Sequence, residues 1–109
     1  MRKILISLLF ILTPISALAG YALAPIDHIL VFDRGMLVYV YPQGGVVNPP
    51  ACHGSNGNYF SFSMNRPMAK EYLAMLMAAQ ARGATVNFWG TGTCTDQPVS
   101  ETLDYLRVD

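Results

Sequence analysis

The stretch from Tyr59 to Trp89, YFSFSMNRPMAKEYLAMLMAAQARGATVNFW, decides the fold. Its first six residues alternate. Phe60, Phe62 and Met64 stand against Tyr59, Ser61 and Ser63, the period of two of a half-buried strand. Asn65 is a helix-capping residue type and Pro67 suits a first turn. The helix is therefore predicted from about Arg66 to Arg82, with Gly83 as its C-terminal stop. Thr85 to Trp89 alternates again, with Val86 and Phe88 on one side and Thr85, Asn87 and Trp89 on the other.

Upstream, Ile26 to Phe32 and Met36 to Tyr41 are rich in β-branched and aromatic residues and read as two strands. Asp33-Arg34-Gly35 between them reads as a hairpin turn in which Gly35 is free to take positive φ. The segment YPQGGVVNPPACHGSNGN, 41–58, breaks regular structure and is predicted to be a long loop. Downstream, a polar loop from Gly90 to Ser100 leads to a last strand over 102–108. The order β-β-β-α-β-β, mainly β with one helix, is the element order of a five-stranded OB-fold barrel. The alternative is an open α+β sandwich with the helix across one sheet face.

The chain has 109 residues and a formal net charge of zero, which allows one domain. Arg2 and Lys3 precede a nearly apolar run from Ile4 to Ile15, and Ala17-Leu18-Ala19 supplies the small-residue pattern of a signal peptidase site. The run is shorter than the roughly 20 residues a membrane helix needs. Residues 1–19 are predicted to be a signal peptide, and 20–109 a single secreted or periplasmic domain with no membrane span. Ala22-Leu23-Ala24 is a poorer site, because Pro25 would follow the cut. From Gly20 onward five basic residues face seven acidic ones, a net of −2. That balance argues against nucleic-acid binding, which depends on neutralising phosphates.

Cys52 and Cys94 are the only cysteines. An exported chain meets an oxidising compartment, so a disulfide between them is expected. In the chain-entropy model the loop it closes corresponds to roughly 4 kcal/mol.

The helix carries Met68, Tyr72, Met75, Leu76 and Ala79 on one stripe, predicted to cover the barrel. Its other side holds Lys70, Ala74, Met77, Ala78 and Ala81, small and apolar after the first turn. A homo-oligomer interface at Ala74, Met77, Ala78 and Ala81 is the economical reading, since closed symmetric assemblies are common. The bland alternative is that alanine tolerates exposure and favours helix.

No HExxH, GxSxG or paired-carboxylate spacing is present. His28, His53, Asp27 and Asp33 are the acid–base or ligand types of the first half, and they read as surface or strand-edge groups. No catalytic residue, metal or cofactor is therefore expected. A sugar site needs an apolar ring platform with hydroxyl and amide groups. Tyr59, Ser61, Ser63, Asn87 and Trp89 are the candidates, all predicted on outward registers of the third and fourth strands. For Trp89 the alternative is packing under the Gly-rich loop or in a subunit contact.

The run NPPACHGSNGNYFSFSMNRPMAKEYLAMLMAAQARGATVNFWGTGTC resembles a family of small secreted bacterial proteins. The shared features are a Cys after an Asn-Pro turn, an aromatic strand and an Asn-x-Pro-x-x-Lys-Glu helix start. An Ala/Leu/Met helix ending in Gly, a Val-x-Phe strand and a second Cys follow. Their fold is similar to that of the subtilase cytotoxin B subunit and other pertussis-like toxin B subunits. The resemblance implies OB-fold subunits in a pentameric ring, helices facing a central pore, and binding of sialylated glycans. It carries over no sugar-binding residue. The function it implies is that of a non-catalytic secreted protein, toxin B-subunit-like, with a glycan or protein ligand. The alternative is an exported structural or inhibitory protein.

Overall fold

A computed structural model describes residues 19–54 and 58–109. The predicted signal peptide up to Leu18 lies outside the described residues. The chain forms β1 (Tyr21–Ala24), β2 (Ile26–Phe32), β3 (Leu37–Pro42), β4 (Phe60–Ser63), α1 (Ala69–Ala81), β5 (Val86–Gly90) and β6 (Leu103–Val108). The strands make two antiparallel three-stranded sheets, β1-β5-β6 and β2-β3-β4. Mainly β structure with one helix is thus what forms, but neither sheet closes into a five-stranded barrel. Pro25, which has no N–H to continue a ladder, separates β1 from β2. The two halves join different sheets. On the far side, β4 and the residue just before β6 meet through one parallel bridge, Ser61 to Thr102.

Between the sheets lies the core. Val38 and Val40 of β3, Phe60 and Phe62 of β4, Val86 and Phe88 of β5, Leu103 and the helix residue Leu76 are fully buried. Phe60 and Phe88 stack across the two sheets with ring centroids 5.8 Å apart. The predicted alternation of β5 holds. That of β4 does not, because Ser61 is as buried as its phenylalanine neighbours. The segment Ser100–Thr102 covers it: the Ser61 and Ser100 hydroxyls lie 2.6 Å apart, and Ser61 N–H donates to the Glu101 carbonyl at 3.0 Å.

The helix starts at Ala69, three residues later than predicted. Asn65 does not cap it. Its backbone N–H donates to Ser63 Oγ, and turns from Ser63 to Arg66 and from Arg66 to Ala69 carry the chain past Pro67. The buried stripe is Ala69, Leu76 and Ala79, flanked by Tyr72 and Leu73. Met68 and Met75, predicted to face the core, are exposed. Met68 precedes the first helical turn, and Ala69 takes the buried place beside it. Gly83 stops the helix as predicted, with φ +62°. Ala84 N–H reaches the Ala79 carbonyl and Gly83 N–H that of Gln80, a Schellman pair.

The β2–β3 connection is a 3-10 turn over Asp33–Gly35, and here Met36, not Gly35, takes the left-handed conformation, with φ 51°. Its N–H closes the turn on the Asp33 carbonyl at 3.0 Å. The long 43–58 segment is tied at both ends. Val47 exchanges backbone hydrogen bonds with Tyr21, and Gly54 N–H donates to the Val99 carbonyl at 2.7 Å. Cys52 and Cys94 form the expected disulfide, with Cα atoms 6.1 Å apart.

A carboxyl group lies inside. Glu101 is fully buried, and its Oε2 accepts from the Gly20 and Gly92 N–H groups, each at 2.9 Å. Its Oε1 is buried with no hydrogen-bond partner among the described residues. Burial pushes the carboxyl above the ordinary range, while the two amide donors pull it back. Three glycines serve it, two of them by leaving space. A Cβ on Gly20 would sit 2.2 Å from Oε1, and one on Gly90 2.0 Å from Oε2. The third, Gly92, supplies its N–H.

Candidate binding face

Strand β3 reads Leu37-Val38-Tyr39-Val40-Tyr41. The pleat sends the valines to the core and the tyrosines to the opposite face. The register sets His28 of β2 beside Tyr41, and Leu30 beside Tyr39. Tyr59, just before β4, reaches over both tyrosine rings. Its centroid is 4.6 Å from that of Tyr39 and 4.9 Å from that of Tyr41. His28 stacks on the other side of Tyr41 at 3.9 Å and pairs with Asp27 at 2.5 Å. Phe32 extends the row beyond Tyr39, 6.2 Å away. The result is a continuous aromatic platform across β2-β3-β4.

Polar groups rim it. Tyr59 donates its hydroxyl to Gln97 Oε1 at 2.9 Å, and Gln97 Nε2 donates to the Tyr39 hydroxyl at 2.8 Å. Ser100 also donates to Gln97 Oε1, fixing the amide. The Tyr41 hydroxyl has no hydrogen-bond partner among the described residues. Burial raises the pKa of Tyr39 and Tyr41, and the neighbouring Tyr59 adds to it. Both phenols are therefore neutral donors and acceptors near neutral pH. The face is open, with no enclosed cavity among the described residues. Platform rings with directed hydroxyl and amide groups suit a ligand of alternating apolar and hydroxylated faces.

The sequence candidates separate. Tyr59 belongs to this platform, although it is buried rather than outward-facing. Ser61 is internal. Ser63 is half-buried, with its N–H donating to Asp96 Oδ2 at 2.9 Å and its hydroxyl accepting from Asn65. Asn87 and Trp89 lie on β5, in the other sheet, so the five are not brought together. Trp89 sits between Tyr21 and Tyr105, at 5.4 and 6.2 Å, in a second aromatic row. The helix residues Ala74, Met77, Ala78 and Ala81 are all exposed, as predicted for that side.

Sequence reasoning missed Tyr39, Tyr41, His28 and Gln97. The signal for the tyrosines was the alternation within MLVYVY. For Gln97 no local signal exists, because it acts from a loop 58 residues from Tyr39. No three of His, Cys, Asp and Glu converge as a metal set among the described residues. None of the described helices is long and apolar enough to cross a membrane. Comparison of the chain with protein-family models, curated proteins and solved structures finds no match.

Proposed function

We propose that this is an exported binding protein that takes a glycan on the tyrosine face and self-associates through the outer side of the helix. The observation that carries the reading is the Tyr39–Tyr59–Tyr41 platform clamped by Gln97. The strand order supports it further, as an opened relative of the OB arrangement. In that view β1 and β2 act as one bent strand shared between β5 and β3, and β4 meets β6 in the parallel sense. OB folds bind ligands on their second and third strands with the loops after strands one and four. Those would be β3, β4, the 33–36 turn and the 91–102 loop, where the platform and Gln97 lie. The toxin B-subunit resemblance makes sialylated glycans the first to try and a pentamer the first assembly to look for.

A glycan array with the processed protein should retain defined sugars. Tyr41→Ala should then weaken the best of them about tenfold, the worth of roughly one stacked ring. Binding that is absent, or unchanged in Tyr41→Ala, overturns the reading.

Self-association is supported by Met77, 58% exposed beside Ala74, Ala78 and Ala81. Light scattering should give a mass near five subunits, and Met77→Glu should lower it without unfolding the chain. A wild-type monomer removes the ring.

A second reading, an exported inhibitory or structural protein that docks a protein, is favoured by the other sheet. There Tyr21, Trp89 and Tyr105 form an aromatic row beside Leu23, which is 68% exposed. Aromatic rows of this kind are enriched at protein interfaces.

A further inference from the structure

Two independent observations meet at Gly20. The sequence places a peptidase site, Ala17-Leu18-Ala19, immediately before it. The fold buries its N–H against Glu101 Oε2 at 2.9 Å. We infer that cleavage after Ala19 creates an α-ammonium on Gly20 that forms a buried ion pair with Glu101, so that removal of the leader completes the fold. This rests on the export reading and goes beyond the binding function.

The chemistry is a hydrolysis. Water adds across the Ala19–Gly20 peptide bond, its hydroxyl going to the Ala19 carbonyl carbon. The leader departs with a carboxylate, and Gly20 nitrogen, taking protons, becomes an ammonium. One neutral N–H is replaced by three N–H donors and a full positive charge. Before cleavage, Glu101 has one oxygen served by two amides and one, Oε1, buried without a partner among the described residues. A buried carboxylate so placed lacks both a countercharge and a donor, a costly arrangement. The ammonium supplies both at the same nitrogen.

The glycine at this position is required by the geometry. Its absent Cβ would lie 2.2 Å from Oε1 and 3.0 Å from a Val46 methyl carbon. Any other new N-terminal residue would push the carboxylate away from the amine. The other strands hold the pair in place. Gly90 N–H donates to the Gly20 carbonyl at 2.9 Å, and Glu101 N–H donates to His53 Nδ1 at 3.0 Å.

The test uses the full chain, expressed in an exporting bacterial host and purified after processing. Intact mass should correspond to residues 20–109 with one disulfide. The product is then acylated at near-neutral pH, folded and in denaturant, with acetic anhydride. Lys70, exposed and the only lysine after Lys3, is the internal control. A carboxylate partner that raises the α-amine pKa by one unit makes it about tenfold less reactive. The Gly20 amine should therefore react about tenfold or more slowly in the folded protein, while Lys70 changes little. A mass beginning elsewhere overturns the cleavage premise, and with it the pair. The right mass with an amine as reactive folded as unfolded overturns the pair alone. In folded Glu101→Gln the amine should become reactive; protection that persists there reassigns the partner. The wild-type ratio decides the matter whether or not that variant folds.

Discussion

Removing the disulfide, as Cys52→Ala with Cys94→Ala, is expected to cost about 4 kcal/mol of stability and to lower Tm by some 15–30 °C. The sequence separation of 42 sets the first part of that figure, through the chain entropy the bond withdraws from the unfolded state. Local structure adds to it. The Cys52 segment delivers His53 to the Glu101 N–H and Gly54 to the Val99 carbonyl. It therefore braces the stretch that covers β4 and carries the buried carboxylate. Guanidinium unfolding of the two forms checks this, and a loss below about 1 kcal/mol would show that the 91–102 loop holds itself.

Gly90→Ala is expected to be nearly as damaging, at about 3 kcal/mol or more. The new methyl would sit 2.0 Å from Glu101 Oε2 and 2.2 Å from Cδ. The carboxylate must leave the Gly20 and Gly92 donors, so overpacking adds to the loss of buried hydrogen bonds. Gly44→Ala makes the contrast. Nothing lies within 4 Å of its Cβ, and the cost there is the left-handed backbone at φ +82°, roughly 1 kcal/mol. A double-mutant cycle with Glu101→Ala separates the effects. If the clash is with the carboxylate, the pair should destabilise less than the two changes added. Additive losses would place the damage in the β5 backbone instead.

The elements that rest on local periodicity were legible. β2, β3, β5, β6 and the Gly83 stop follow from runs of residues that declare their faces within a few positions. β1 was not, because Tyr21–Ala24 is short and its Ala-Leu-Ala resembles a cleavage site more than a strand. The covering of Ser61 by Ser100–Thr102 could not be read, since one polar segment packed on another leaves no apolar signature. The same holds for Glu101. Its three glycines, at 20, 90 and 92, are informative only together, and only space assembles them. The platform was half visible. Tyr59 was singled out, and Tyr39 and Tyr41 stood in plain alternation, but the choice of sheet depended on the break at Pro25. Of the predicted helix stripe, Tyr72, Leu76 and Ala79 do pack on the core, while Ala69 and Leu73 join them in place of Met68 and Met75.

The placement of Trp89 has a use in following the folding reaction. It is the single tryptophan, and it sits between a ring from the first strand and a ring from the last. Contacts between such distant parts of a chain carry a large loop-closure entropy and form slowly. Its emission therefore reports the docking of the two ends, separately from the β2–β3 hairpin, which holds no tryptophan. In stopped-flow refolding, fluorescence should lag behind the backbone circular dichroism signal if the N-terminal strand is the last to join.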